Sequence, residues 1–151
     1  MLAALVQLNV SDDPAANLAV TVGYVRQAVA QGAGFVLTPE LTNGLSSSRA
    51  HQRSVFRNEE DDETLTALRA EAKAAGVWLL IGSLGLLTHD ADGRFANRSF
   101  LIAPDGTVAA RYDKIHMFDV NVSATEVYRE SEGYRPGKRA VVGETPFAKI
   151  G

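Results

Sequence analysis

The segment FVLTPE, residues 35–40, begins as a short apolar strand, which Pro39 stops and Glu40 follows at once. In α/β folds, ligands bind beyond the carboxyl ends of the strands, and Glu40 occupies such a place. A half-buried carboxylate there is suited to act as a general base, with a pKa raised by burial or held down by a nearby cation. On position alone, a solvent-facing acid at the end of a strand is the more frequent case.

Strands and helices alternate on both sides of this segment. The alternation predicts an α/β layered fold with parallel inner strands, and a hairpin in the second half of the chain departs from it. The predicted elements are a strand at 2–10, a helix at 15–31, a strand at 35–38, a helix that the acidic cluster 59–63 opens and Gly76 ends, a strand at 77–81, a hairpin with strands 95–103 and 107–112, and later strands at 141–142 and from 147.

The composition is that of an ordinary globular domain, with 151 residues, 46% hydrophobic and 22% charged. Its formal net charge of -3 argues against a nucleic acid or an anionic membrane as a partner. No apolar run approaches the length of a membrane span, and the first ten residues show no cationic leader. We therefore expect a cytoplasmic protein that binds neither nucleic acid nor membrane.

Motifs for metals and phosphates are missing from the sequence. It contains no cysteine, so these residues supply neither a disulfide nor a thiolate ligand. The three histidines, His51, His89 and His116, lie far apart and none has the spacing of a metal ligand. Walker-A and G-x-G-x-x-G patterns are also absent. We expect no cofactor and no metal.

A second candidate is Lys114, in the segment RYDKIHMF at 111–118. If this segment is extended, Tyr112, Lys114 and His116 share one face. An ammonium group aimed into a site would stabilise developing negative charge. A surface lysine on the edge of the hairpin is the more frequent arrangement. We expect His116 to be a hydrogen-bonded structural residue and not a base.

Glu130 and Glu132 lie in a loop that by itself is only a charged turn. The loop is one of several segments that occur in a particular order: ALVQL at 4–8, LTPE at 37–40, YDKIHMFD at 112–119, YRES at 128–131 and RPG at 135–137. Together these segments resemble the nitrilase superfamily of carbon–nitrogen hydrolases, and most closely its Nit branch of predicted amidases. The resemblance covers essentially all of this chain and about the first half of the family's domain.

The resemblance implies a four-layer α-β-β-α sandwich, here truncated before its second half. Residues 1–151 would then be the N-terminal portion of a single carbon–nitrogen hydrolase domain. Residue by residue, Glu40 falls on the family's general base, Lys114 on its catalytic lysine and Glu130 on its second glutamate. The family's nucleophilic cysteine is expected within a few residues after Gly151. We therefore expect the 151-residue chain alone to be inactive.

The implied reaction is hydrolysis of a small linear amide, as by an ω-amidase, in preference to a nitrile. Glu40 would accept the thiol proton and later activate water, and Lys114 would stabilise the tetrahedral oxyanion. Glu130 would orient Lys114 or the substrate amide. The resemblance also implies a homodimer or a higher homo-oligomer.

Two other hypotheses are compatible with parts of the sequence. A receiver-like signalling module is also a doubly wound sheet of similar length, with Asp12 and Asp13 as its acids, but Glu40 stands where its phosphoacceptor aspartate belongs. A non-catalytic member of the nitrilase family would keep the fold as a binding scaffold. Carbamoyl-phosphate labelling would detect the first, and the missing cysteine decides the second.

Overall fold

A computed structural model describes residues 1–123 and 125–151 of the chain. Its helices and strands, in chain order, are β1 (Leu2–Leu5), α1 (Pro14–Ala30), β2 (Ala33–Leu37), α2 (Arg49–Val55), α3 (Glu63–Ala75), β3 (Trp78–Leu86), β4 (Ala96–Ile102), β5 (Val108–Asp113), β6 (Asp119–Asn121), β7 (Val127–Arg129), β8 (Gly143–Glu144) and β9 (Lys149–Ile150). Short 3-10 turns are present at Glu59–Asp61 and Glu130–Glu132.

The centre of the fold is a five-stranded sheet in the order β1-β2-β3-β4-β5. The first three strands are parallel, as the alternation of strands and helices predicted. Strands β4 and β5 add to β3 in antiparallel fashion, which is the predicted hairpin. The hairpin turns at Gly106, whose positive φ of 83° is a conformation that glycine adopts at little cost.

Helices α1 and α3 pack against each other and cover one face of the sheet, where α1 contacts β2 and α3 contacts β3. Side chains alternate along each strand, so Leu79 and Ile81 of β3 point into this layer and are fully buried. Phe100 and Ile102 of β4 join them in the same core. The α/β prediction is therefore confirmed, with a mixed sheet in place of a wholly parallel one.

The opposite face of the sheet is covered only in part. Leu80, Leu101 and Ala110 point away from the helices, and the C-terminal segment 140–151 lies over them. Between sheet and segment is a mostly apolar cavity of about 510 Å³. The described residues thus form one helix layer and one sheet layer, which is half of the expected four-layer sandwich.

The starts and stops of the long helices follow the sequence signals. Asp13 caps α1 by accepting hydrogen bonds from the Ala15 and Ala16 amides, and Pro14 opens the helix. Asp62 caps α3, which ends at Gly76 in the left-handed conformation. The acidic cluster predicted to open α3 is divided, because residues 59–61 form a separate 3-10 turn.

Several short elements differ from the prediction. The first strand covers only residues 2–5 of the predicted 2–10. Helix α2 and the β6–β7 pair lie in stretches for which the sequence predicted neither a helix nor a strand. A seven-residue helix and three-residue strands carry too few residues for a periodic pattern, so tertiary contacts fix them. No helix in the described part of the chain is long and apolar enough to cross a membrane.

Candidate active site

Glu40 lies on a rigid loop at the carboxyl end of β2. The next residue in the loop, Leu41, has a φ of 51°, a left-handed conformation that is uncommon for leucine. Ser83 of the neighbouring strand β3 holds this turn, since its hydroxyl accepts a hydrogen bond from the Leu41 amide at 2.8 Å. The Ser83 carbonyl accepts a second one from the Thr42 amide at 2.9 Å. Strand β3 therefore fixes the backbone on which the Glu40 carboxylate stands.

Gly82 lets the two strands approach closely at this point. A Cβ atom at position 82 would stand 2.3 Å from the Thr38 carbonyl oxygen and 2.6 Å from the Pro39 carbonyl carbon. Both contacts are with backbone, which cannot rotate aside. Any residue other than glycine would therefore displace the segment that leads into Glu40.

Lys114 directly follows β5 and reaches the same end of the sheet. Its amide donates to the Asn97 carbonyl at 2.9 Å, and its own carbonyl accepts from the Gly137 amide at 2.9 Å. Its Nζ lies 3.0 Å from Glu40 Oε1 and 2.9 Å from both carboxylate oxygens of Glu130. The predicted approach of Glu40 and Lys114 is confirmed.

Glu130 comes to the lysine through the β6–β7 pair, which folds the chain back on itself. Its Oε2 also accepts a hydrogen bond from the Phe118 amide at 2.7 Å, at the start of that pair. The side chain of Glu130 is only 15% exposed. Glu132 is exposed and makes no ion pair with Lys114 in the described structure. The prediction that Glu130, and not Glu132, points at Lys114 is confirmed.

Asn97, in β4, is a part of this cluster that the sequence analysis missed. Its side chain is buried, and its Nδ2 donates to Glu40 Oε1 at 2.7 Å. A signal was available: an asparagine inside the predicted strand 95–103, if its side chain is buried, must find a hydrogen-bond partner. The partner itself, 57 residues away, could not be identified from spacing.

The backbone at Lys114 is held in place by ion pairs between the residues that flank the cluster. Arg98, next to Asn97, forms a bidentate pair with Asp113, next to Lys114, at 2.6 and 2.9 Å. Arg98 also reaches Glu59 at 2.8 Å. A bidentate guanidinium–carboxylate pair fixes orientation as well as distance. It therefore holds the end of β5 against β4, from which Asn97 and Lys114 project.

The charges in the cluster stabilise one another. Partial burial raises the pKa of Glu40, but hydrogen bonds from Lys114 and Asn97 and the lysine charge outweigh it, so the pKa lies below its ordinary value. Burial likewise lowers the pKa of Lys114, and the hydrogen bonds and charges of Glu130 and Glu40 reverse this, so that pKa is raised. At neutral pH, Glu40 is a carboxylate and Lys114 is an ammonium ion.

The cluster opens into a cavity of about 500 Å³. Arg49 of α2 lines the cavity, with its guanidinium carbon 5.2 Å from the centre of the Tyr134 ring. Burial raises the pKa of Tyr134 to about 12.

His116, by contrast, is exposed, and its ring has no hydrogen bond within residues 1–123 and 125–151, so the expectation of a structural histidine was wrong. Among the same residues, no group of three or more histidine or acidic side chains is placed to hold a metal.

The mixed sheet, with a carboxylate–ammonium–carboxylate cluster beyond the ends of its strands, is accounted for by a family match. Residues 2–151 match the model of the carbon-nitrogen hydrolase family. The chain belongs to that family, within the nitrilase superfamily. Membership and the antiparallel β4–β5 hairpin exclude the receiver-like alternative, and Asp13, one of its proposed acids, instead caps a helix.

Individual relatives come from bacteria and animals. The chain is 33% identical to the deaminated glutathione amidase of Yersinia enterocolitica over 149 residues, covering 98% of this chain and 51% of that protein. It is also 33% identical to the omega-amidase NIT2 of Danio rerio over 148 residues, covering 98% and 52%. The chain therefore spans about half the length of these curated relatives.

A solved structure agrees in fold. The crystal structure of the C. elegans NitFhit protein superimposes with a TM-score of 0.85 at 22% identity, covering 97% of this chain and 36% of that one. The nitrilase-type fold predicted from the sequence is thus confirmed for the described residues.

Proposed function

We propose that the protein carrying this chain hydrolyses the carbon–nitrogen bond of a small linear amide through a Glu-Lys-Cys mechanism. The observation that carries the proposal is the position of the Lys114 ammonium, within 3.0 Å of carboxylate oxygens of both Glu40 and Glu130. The amidases among the relatives support the choice of reaction. In this proposal residues 1–151 are the N-terminal portion of one hydrolase domain, and the cysteine follows Gly151.

The first half of the reaction forms a thioester. Glu40, a carboxylate at neutral pH, accepts the proton of the cysteine thiol, and the thiolate attacks the amide carbon. Lys114 stabilises the negative charge on the amide oxygen in the tetrahedral intermediate. When the carbon–nitrogen bond breaks, the proton held by Glu40 passes to the nitrogen and ammonia leaves.

The second half of the reaction releases the acid. Glu40, again a carboxylate, takes a proton from water as the water oxygen attacks the thioester carbon. Lys114 stabilises the second oxyanion, and the sulfur leaves with the proton returned from Glu40. Glu130 keeps the lysine in place through both halves, since both of its oxygens are 2.9 Å from Nζ.

The position of Arg49 supports a substrate that carries a carboxylate as well as the amide, that is, the ω-amide of a dicarboxylic acid. Its Nη1 donates to the side chain of Gln52 at 3.2 Å, and its guanidinium lies over the Tyr134 ring. Gln52 and Tyr134 are buried and hydrogen-bonded to each other, so they hold the guanidinium still. Within the described residues, no carboxylate pairs with Arg49.

The charge of the cluster explains why such a cation would be needed. Lys114 contributes +1, and Glu40 and Glu130 contribute -1 each, which leaves a net charge of -1 beside the cavity. An anionic substrate would be repelled by this charge unless a cation faced it. Arg49 lines the same cavity and its planar guanidinium matches a carboxylate.

The test is ammonia release by the protein encoded by the reading frame extended past Gly151. We expect faster release from ω-amides of dicarboxylic acids than from nitriles of the same length. Glu40→Gln should abolish release, while Glu60→Gln, at an exposed glutamate whose carboxylate pairs with the exposed His89, should leave it unchanged. Faster turnover of nitriles would overturn the substrate assignment, and no turnover of either class would favour the non-catalytic scaffold.

A matched pair of arginines tests the carboxylate contact. Arg49→Gln should lower kcat/KM for the ω-amide acid and leave an uncharged amide such as butyramide nearly unaffected. Arg53 lies one turn further along α2, stacks on Phe95 and donates to the Gly93 carbonyl, and it does not line the cavity. Arg53→Gln should therefore not change the ratio of the two substrates. Equal losses on both substrates in Arg49→Gln would refute the contact.

A further inference from the structure

Asn97 connects the two charged residues on which the proposed chemistry depends. It is only 2% exposed, and its Nδ2 donates to Glu40 Oε1 at 2.7 Å. Its main-chain carbonyl accepts the Lys114 amide at 2.9 Å. One residue of β4 thus holds the side chain of Glu40 and the backbone of Lys114.

The two oxygens of Glu40 are used differently. Oε1 accepts from Asn97 Nδ2 and also from Lys114 Nζ, at 2.7 and 3.0 Å. Oε2 has no hydrogen-bond donor within residues 1–123 and 125–151. A carboxylate with one oxygen held by two donors cannot rotate to exchange its oxygens without breaking both bonds. The free oxygen is therefore always the same one.

We propose that Asn97 is a positioning residue that turns Oε1 of Glu40 toward Lys114 and leaves Oε2 as the oxygen that accepts the proton. The inference rests on the proposed function, in which Glu40 is the base. It adds which oxygen acts and which residue selects it.

An asparagine suits this task better than other residues of its size. Its amide donates a hydrogen bond at every pH, so it never competes with Glu40 for a proton. An aspartate of the same shape would set a second carboxylate against Oε1, and like charges raise each other's pKa. A leucine would fill the same space without a donor. Strand β4 keeps the asparagine in place, because Asn97 pairs with Gly85 of β3 and Arg98 next to it is clamped to Asp113.

The proposal differs from a purely structural role in what it predicts for the pH dependence. If Asn97 only filled and satisfied the core, its loss would lower stability and leave the titration of Glu40 unchanged. The hydrogen bond from Asn97 favours the carboxylate form of Glu40, so its loss must raise the pKa of that group. The acid limb of kcat/KM, which reports the base of the free enzyme, then moves to higher pH.

The experiment compares Asn97→Leu and Asn97→Asp with the wild type, in the protein that contains the complete family domain. We expect kcat/KM for an ω-amide to fall about 10- to 150-fold, which is the range for loss of a hydrogen bond to a charged group. We expect the fall to lie in kcat with little change in KM. The acid limb should move upward in both variants, and further in Asn97→Asp.

Asn17 provides the matched control. It is also a buried asparagine, in α1, and it bonds to Ser11 and to the Asn43 carbonyl, away from the charged cluster. Asn17→Leu should lower the unfolding midpoint and leave the acid limb where it is. If Asn97→Leu does not fold, Asn97→Asp keeps the shape and polarity of the side chain and answers the same question.

A titration independent of activity completes the test. The carboxyl ¹³C signal of Glu40, assigned by its loss in Glu40→Gln, is followed against pH in the wild type and the Asn97 variants. A midpoint raised by either substitution supports the inference, and unchanged midpoints in folded variants overturn it. An inactive wild type whose Glu40 midpoint still depends on Asn97 would instead defeat the proposed function alone.

Discussion

Replacing Glu130 by glutamine tests how much the lysine depends on its second carboxylate. Glu130 contributes both oxygens to Lys114 Nζ at 2.9 Å and accepts the Phe118 amide at 2.7 Å. Glutamine has the same shape, but one of its two terminal atoms is an NH₂ donor, which cannot accept from an ammonium group. The variant therefore loses one contact with Lys114 and the negative charge behind the other.

The magnitude follows from burial. The side chains of Glu130 and Lys114 are 15% and 27% exposed, so solvent screens their contact only in part. A charge-assisted hydrogen bond in such a setting contributes roughly 1.5–3 kcal/mol. We expect the acylation rate of the extended protein to fall about 10- to 150-fold. Because Glu130 raises the pKa of Lys114, the alkaline limb should also move to lower pH.

The assay is single-turnover release of ammonia, which isolates acylation from hydrolysis of the thioester. Glu132→Gln is the control, since Glu132 is two residues away, exposed and makes no ion pair with Lys114 in the described structure. It should change the rate by less than about twofold, which corresponds to roughly 0.4 kcal/mol. A larger loss in Glu132→Gln than in Glu130→Gln would refute the reasoning.

Three further predictions concern the stability of the fold and the behaviour of the 151-residue chain alone. Gly82→Ala should lower the free energy of unfolding by about 1–3 kcal/mol, because the added Cβ would lie 2.3 Å from backbone. Gly23→Ala, in helix α1, should raise the free energy of unfolding by up to about 1 kcal/mol, because its Cβ would meet nothing within 4 Å. Urea unfolding measures both changes. Tyr134 has a pKa raised to about 12 from 10.0, so its contribution to stability is complete below about pH 10 and is lost as pH rises through 12. This loss of stability at alkaline pH amounts to about 3 kcal/mol. Tyr134→Phe should remove the loss, as measured by unfolding followed by circular dichroism. The 151-residue chain should release no ammonia from any amide and should self-associate through its incompletely covered apolar sheet face; light scattering that shows a stable monomer would contradict the second part.

The sequence predicted what depends on local pattern. Helices α1 and α3 are long and begin at capping aspartates, so their length and end signals suffice. Glu40, Lys114 and Glu130 were identified because each lies in a segment resembling the family, and the structure brings the three together. Their assigned roles remain proposals.

Contacts between distant segments could not be predicted. Asn97 acts on Glu40 across 57 residues, and the burial of its amide was the only hint in the sequence. Arg49 lies on a seven-residue helix, α2, that is too short for a periodic signal. His116 was expected to be structural because nothing in the sequence points a catalytic partner at it, yet it lies beyond the end of β5 and is exposed.

The most direct test of the Glu-Lys-Cys mechanism is intact-mass analysis of the extended protein, quenched during turnover of an ω-amide. We predict an adduct with the mass of the acyl group, formed with loss of ammonia, on a cysteine a few residues after Gly151. We also predict that Glu40→Gln forms no adduct, because no base then takes the thiol proton. Ammonia release without any acyl adduct on a cysteine, or an adduct that forms as fast in Glu40→Gln, would contradict the Glu-Lys-Cys mechanism.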